Sequence, residues 1–423
     1  MKILVCGASG FVGQALTSRL RSAGHTVVRG VRRPVGPDDI AIDYSVDTDP
    51  SVWLPRLAGM DAVVNAVGII AERPGATFEN LHERAPRALF EACGQARVWR
   101  VVQISALGAD KGDTAYFRSK AAADLYLMQS TVEWQVLRPS LVYGEAGASA
   151  TAFRVLASMP VIAMPSLPAS ARFQPVHVDD LATAVVIALE PQTGAGHCVN
   201  CVGPTSHTLR DLLGHYRQAF RLAGALWLRV PAPIVAVAAR FAAFVPGAAL
   251  NPETWRMLKQ GSAADAGAFT NLLGRAPRAL GEFIAGADAE RLRAQAFASW
   301  QLPMFRIALA AVWILSAITS AFVFPRADSL ALLGQVGLTG KLATASLYFA
   351  SALDLGLGIA TLAYPRRATW IAQLILIAGY SVLIAIALPE WLAHPFGPIL
   401  KNLPMLAILV VLLAEEPSWT TSS

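Results

Sequence analysis

Three long runs near the C-terminus limit what this chain can fold into. Residues 307–324 hold no charge and end at Pro325, residues 342–364 are charged only at Asp354, and residues 368–388 hold no charge. About 20 apolar residues cross a bilayer as a helix, because a helix satisfies its own backbone groups where water is absent. A fourth run, 399–414, has Lys401 and Pro404 near its start; Lys401 can snorkel to the interface. The expected architecture over 303–416 is an all-α four-helix transmembrane bundle, followed by a tail at 417–423. Arg306, Arg366 and Arg367 fall on one side, Arg326 and Lys341 on the other. The cytoplasmic side carries the basic excess. The expectation is a multi-pass protein of the bacterial inner-membrane kind, with both the N-terminal domain and the C-terminus in the cytoplasm. A charge at mid-bilayer costs ~2.5–3.5 kcal/mol on insertion scales. Asp354 is therefore expected to face the bundle interior, as a neutral acid hydrogen-bonded to another helix with Gln373, Tyr380 and Ser381 as partners, as the lining of a polar cavity for a quinone-like or lipid headgroup, or paired with a base.

The first 300 residues differ in kind. They hold 53 charged residues, whereas the last 123 hold 11. The net charge is +6, but no basic cluster interleaved with aromatics signals nucleic acid. The surplus suits an anionic membrane face. Cys198 and Cys201 form a C-x-x-C on a short strand before a turn. Three positions apart, their side chains point to opposite faces. They read as two packed or half-exposed thiols, and no metal is expected. The apolar run 2–6 leads straight into glycines and reads as a first strand, not a signal sequence.

Strand patterns at 2–6, 26–31, 62–66, 101–105 and 133–138 alternate with helical ones at 11–23, 85–95 and 119–130. That alternation predicts an α/β doubly wound parallel sheet of the Rossmann type. Residues 1–295 are expected to form this domain, with a substrate-side part at about 145–295. A capped helix starts at Thr208. Residues 226–245 form a helical pattern broken by Pro231 and Pro233. It reads equally as a helix on the membrane surface or one over the core.

Gly7-Ala8-Ser9-Gly10-Phe11-Val12-Gly13 follows the first strand and opens a helix. Such glycines allow a sharp turn and close approach of a pyrophosphate to a helix N-terminus. At the end of the second strand, where an acid would hold the ribose of NAD, stand Arg32 and Arg33. Arginine there suits a 2′-phosphate, so NADP is expected, with NAD as the alternative. Asp43 is placed to accept from the adenine amino group. Tyr116 and Lys120 lie four apart on one helix face. An ammonium beside a phenol favours the phenolate. Ser105, ending the preceding strand, can hold a carbonyl oxygen nearby.

With Gly7, Gly10 and Gly13, the turn Asn65-Ala66-Val67-Gly68, and Ser105, Tyr116 and Lys120, residues 1–290 resemble the short-chain dehydrogenase/reductase superfamily. Leu137-Arg138-Pro139 through Gly144 and Val176-His177-Val178-Asp179-Asp180 match its extended and atypical branch. Ser105-Ala106-Leu107-Gly108-Ala109-Asp110 resembles the group containing the accessory subunit of respiratory complex I. The tail resembles the DoxX-like membrane family. The resemblance implies a nucleotide site at Gly7, Ser9, Gly10, Phe11, Gly13, Ala66, Val67, Gly68, Lys120 and Pro139, with Ser105, Tyr116 and Lys120 catalytic. Where the superfamily often has a relay Asn, this chain has His82, read equally as relay or as packing. The implied activity is an oxidoreductase of the membrane, acting on a lipophilic carbonyl or alcohol of quinone, isoprenoid or lipid type. The alternatives are a non-catalytic, nucleotide-holding factor for a membrane complex, or an epimerase/dehydratase.

Overall fold

Along β1 (Lys2–Cys6) every side chain from Ile3 onward is fully buried, and successive ones enter different layers. Ile3 and Val5 join a core with Leu16, Leu20, Val64 and Leu181. Leu4 and Cys6 join another with Trp53, Val63, Leu89 and Phe90. Strand side chains alternate faces, so apolar residues on both faces mean a sheet covered on both sides. In the computed structural model, residues 1–244, 250–387, 389–391 and 400–416 are described. Val245, Leu388, Ile399 and the tail 417–423, where four of the sequence expectations begin or end, lie outside the described residues. The chain divides into two compact units, Met1–Ala296 and Phe297–Ser423.

In the first unit, α1 (Phe11–Ser22), β2 (Thr26–Val31), β3 (Asp39–Ala41), α2 (Pro50–Leu57), β4 (Ala62–Asn65), α3 (Ala85–Gln95), β5 (Arg100–Ile104), α4 (Ala115–Met128) and β6 (Glu133–Pro139) follow β1. Then come β7 (Val142–Tyr143), α5 (Ala148–Ser158), β8 (Val161–Pro165), β9 (Val176–His177), α6 (Val178–Ala188) and β10 (His197–Cys201). The unit continues with α7 (Leu209–Ala219), β11 (Leu226–Val230), α8 (Ala232–Ala242), α9 (Pro252–Gln260) and α10 (Gly267–Leu273). Among the described residues seven strands form one sheet in the order β10-β6-β5-β4-β1-β2-β3. All its neighbours run parallel. The order reverses between β1 and β4. In open parallel sheets the crevice at such a switch point, beyond the strands' carboxyl ends, is where ligands bind. Cys198 is exposed and Cys201 buried.

Helix α4 begins at Ala115, four residues before the sequence pattern places it. Thr114 is its N-cap, with Oγ1 accepting from the Phe117 amide at 3.2 Å. The early start puts Tyr116 in the first turn, on the face of Lys120.

Helix α11 (Gly286–Ile318) begins in the first unit and ends in the second, continuing as a π-turn over Thr319–Val323. It is followed by α12 (Arg326–Gln335), α13 (Gly340–Ala363), α14 (Arg367–Ala387) and α15 (Asn402–Glu415). Among the described residues three helical stretches are long and apolar enough to cross a membrane: Gly286–Val323, Gly340–Ala363 and Arg367–Ala387. The fourth expected span is shorter. α15 has 14 residues, about 21 Å at 1.5 Å per residue, against a hydrocarbon core of about 30 Å. Pro404 is tolerated because it lies in the first turn.

Leu309, Trp313, Trp370, Ile377, Leu409 and Leu412 form this unit's core. A Cβ at Gly358 would lie 2.6 Å from Ile314 Cγ1 and 3.2 Å from the Ala310 carbonyl, so glycine there lets α13 meet α11 closely. Trp313 Nε1 donates to Gln373 Oε1 at 2.7 Å, and Gln373 Nε2 donates to Thr361 Oγ1 at 3.0 Å. Two of the partners expected for Asp354 are thus otherwise engaged: Gln373 in this chain, and Ser381 with Asn402 at 2.9 Å. Asp354 Oδ1 is buried with no hydrogen-bond partner among the described residues.

Candidate functional site

The glycine turn is built by close contact. Gly7 has φ +79°, and its amide and that of Ala8 donate to the Gly30 carbonyl at 3.1 and 3.3 Å. This ties the turn to β2. A Cβ at Gly13 would stand 2.1 Å from the Gly7 carbonyl oxygen, so no side chain fits there. Gly10 is the N-cap of α1, and no side chain caps that end. First-turn amides without a side-chain cap, at the carboxyl edge of β1, fit a pyrophosphate. Ser9 is exposed, and its carbonyl accepts from Gln14 Nε2 at 2.9 Å. Phe11 packs its ring against Gly144, where a Cβ would come within 2.5 Å.

Arg32 and Arg33 follow β2 and are exposed. Within β2, Arg29 is already paired with Asp39 at 3.0 Å. Asp43 lies two residues past β3. It accepts from the Ser45 hydroxyl at 2.7 Å and amide at 3.0 Å. These bonds, and then the charge of Arg32, hold its carboxyl below the usual range. Arg32 therefore acts on the same patch as Asp43.

At the end of β4, Ala66, Val67 and Gly68 form a loop beside the turn; a Cβ at Gly7 would lie 3.2 Å from the Ala66 carbonyl. Lys120 is buried and donates to the carbonyls of Val67 at 3.1 Å and Ile104 at 3.2 Å. Its ammonium thus joins the ends of β4 and β5. Burial lowers its pKa to about 8, against the raising effect of Asp124.

His82 is buried under the same loop. Its Nε2 accepts from the Ile69 amide at 3.0 Å, which requires the proton on Nδ1. That nitrogen lies 3.0 Å from Ser119 Oγ, which in turn donates to the Tyr116 carbonyl at 2.8 Å. Both ring nitrogens are occupied, and burial, then the Lys120 charge, push the imidazole down to about 2. Both nitrogens are held by protein groups, the Ile69 amide and the Ser119 hydroxyl, an arrangement that fits the packing reading.

Tyr116 is half-buried, its ring packed edge-on against His82, Phe78 and Phe117. The expectation that Lys120 would favour its phenolate does not hold here. Burial, then the charge of Asp124, push the phenol up to about 12. Ser105 also departs from expectation: its hydroxyl donates to Asp124 Oδ2 at 2.7 Å. To hold a carbonyl oxygen, that proton must rotate away from Asp124. Pro139, closing β6, accepts from the Leu107 amide at 2.8 Å and so fixes the loop after Ser105.

Asp124 was not singled out from the sequence. It is fully buried, paired with Arg138 at 3.2 Å, and its Oδ1 has no partner among the described residues. Burial holds its carboxyl above the usual range, against Ser105 and Arg138. The signal was present: Tyr116, Lys120 and Asp124 are spaced by four, so all three lie on one face of α4.

Comparison with known proteins places these features. Residues 7–161 match the family model described as NAD(P)H-binding, and residues 310–410 that of the DoxX-like family. The mitochondrial NADH dehydrogenase (ubiquinone) 1 alpha subcomplex subunit 9 of Arabidopsis thaliana is 29% identical over 234 residues, 49% of this chain and 56% of its own length. An epimerase family protein of Mycobacterium bovis is 33% identical over 143 residues, 31% of this chain and 46% of its own length. The chain thus spans about half the length of these curated relatives. Among solved structures, an NADPH-dependent quinone oxidoreductase of Escherichia coli complexed with NADPH superposes with a TM-score of 0.54 at 17% identity. That match covers 67% of this chain and 98% of the other, and shows a common fold.

Proposed function

We propose that this chain, an NAD(P)-binding domain of the epimerase and short-chain-dehydrogenase kind joined to a DoxX-like membrane domain, is an NADP-dependent oxidoreductase acting on a lipophilic carbonyl or alcohol. The observation that carries the reading is the Lys120 ammonium, fixed between the ends of β4 and β5 on the helix face that also bears Tyr116. The glycine turn would hold the dinucleotide's pyrophosphate, Arg32 and Arg33 a 2′-phosphate, and Asp43 the adenine amino group. Ala66, Val67, Gly68, Lys120 and Pro139 would line the nicotinamide end. When bound, the nicotinamide supplies or takes up a hydride.

The residues of this chain manage the proton. A phenol held up to about 12 stays protonated at neutral pH, so Tyr116 is set to donate to a carbonyl oxygen as a general acid. Lys120, charged below about pH 8, would keep its ammonium at the nicotinamide end, on the carbonyls of Val67 and Ile104. Ser105 orients the substrate oxygen once it turns from Asp124. The membrane domain favours a substrate that dissolves in lipid. The basic residues Arg306, Arg366 and Arg367 favour the cytoplasm for the N-terminal domain.

Replacing Tyr116 by Phe tests the reading. Nucleotide affinity should be kept, while turnover of a lipophilic carbonyl falls by about a hundredfold or more, the range for a lost general acid. Normal turnover in the variant contradicts it. A second reading is a nucleotide-holding subunit of a membrane assembly. The likeness to an NADH dehydrogenase subunit and the engagement of the Ser105 proton by Asp124 favour it. Bound nucleotide that neither exchanges nor reacts would support that reading.

A further inference from the structure

Helix α8 turns an apolar face outward. Its only buried residue is Ala239. At about 100° per residue, Val235 and Ala242 share the side of Ala239, and both are half-buried. Ile234, Val237, Ala238 and Phe241 fall on the opposite side, and Phe244 continues the stripe just past the helix. Ile234 is 58% exposed, Val237 53%, Phe241 70% and Phe244 84%. The strand pair leading into α8 repeats the pattern. Leu226 and Leu228 on β11, paired with Val161 and Ala163 on β8, are all exposed. Trp227, between them, packs inward.

Apolar side chains exposed together along one helix side and again on the strand before it mark an interaction site. Two observations choose the occupant. The same chain carries helices that cross a bilayer, so a lipid surface is always within reach. From Leu212 to Pro252 the sequence holds four arginines and no acidic residue, and Arg221, Arg229 and Arg240 are exposed. Basic residues beside an apolar stripe match an anionic leaflet, and an amphipathic helix lies with its apolar face at the headgroup–acyl boundary.

We infer that α8 and the exposed face of the β8–β11 pair insert into the bilayer interface, with Ile234, Val237 and Phe241 among the acyl chains and Arg240, on the flank of the stripe, at anionic headgroups. The inference rests on the chain being a membrane protein and not on the redox reading. The helical pattern expected over 226–245 is a strand at Leu226–Val230 and a helix only at Ala232–Ala242, and for that helix the inference takes the membrane-surface reading over the core one.

The test uses the full chain with the exposed thiol removed as Cys198→Ser, reconstituted in liposomes of phosphatidylcholine and phosphatidylglycerol. Nitroxide labels are placed singly at Val237→Cys, Phe241→Cys and, on the exposed face of α7, Gln218→Cys. Their collision with oxygen and with a water-soluble nickel chelate is measured by power saturation. Val237 and Phe241 are more than half exposed and Gln218 is exposed, so the substitutions disturb no core, and melting curves check folding. Labels at 237 and 241 should show an oxygen-to-nickel ratio about fivefold or more above that at 218, as interfacial insertion requires. A ratio equal to that at 218 overturns the inference. Labels shielded from both reagents also overturn it, because protein then covers the face.

Discussion

Histidine 82 has the composition of a relay and the surroundings of a structural group. In water an imidazole titrates near 6.5; here it is pushed down to about 2. Between those values the unfolded chain binds a proton that the folded one does not. This contribution to stability is complete above about pH 6.5 and is lost as pH falls toward 2. In His82→Gln the amide can accept from Ile69 and donate to Ser119. The loss of stability between pH 7 and pH 5 should then shrink by about 2 kcal/mol. A melting series of the full chain in detergent checks this, and an unchanged pH slope would refute it. Lys120 runs the same way: with its pKa lowered from 10.5 to about 8, the folded state bears the cost of a buried ammonium below pH 8. That cost fades as pH rises toward 10.5. Lys120→Met should melt no lower than the wild type at pH 7 while losing turnover, the mark of a group kept for chemistry. Tyr116 and Lys120 were legible because their spacing is local. The Ser105–Asp124 bond was not, because it joins residues 19 apart that only the sheet edge brings together.

Among elements, β1, the glycine turn and α1 were readable almost residue by residue. A short apolar strand, three glycines and a helical pattern follow without a gap, and the close contact of Gly13 with Gly7 explains the spacing. Gly13→Ala should lower stability by about 1–3 kcal/mol, the usual cost of overpacking, and reduce nucleotide affinity at least tenfold. Wild-type binding by this variant would show that the turn tolerates a side chain. Helix α4 was read late because its start depends on the Thr114 cap, whereas the apolar pattern emerges only further on. α15 differs from the expected run 399–414: among the described residues it is helical from Asn402 to Glu415, with Lys401 as its N-cap. If 14 residues with their flanks still cross, reporter fusions after Ala387 and after Glu416 should report opposite sides. The same side for both would mean that α15 does not span.

At the scale of the molecule, two regimes of charge divide the sequence, and the structure divides into two units near the same place, at Ala296. This was legible because lipid and water demand different compositions, whatever the detailed fold. Nucleotide choice is less so, since it turns on Arg32 and Arg33 at an exposed strand end. NADPH should bind more tightly than NADH, and Arg32→Ala should narrow the gap by about tenfold, the worth of one charge-assisted hydrogen bond. Equal affinities in the wild type would contradict the NADP assignment. The central claim is that the Tyr116–Lys120 site does redox chemistry on a molecule dissolved in lipid. The direct measurement is the absorbance of reduced nicotinamide on full-length protein loaded with NADPH in detergent, before and after addition of a total lipid extract. Oxidation of the nucleotide that requires the extract and fails in Tyr116→Phe is the predicted result. NADPH that stays bound and reduced with every lipid fraction, in wild type and variant alike, would contradict it.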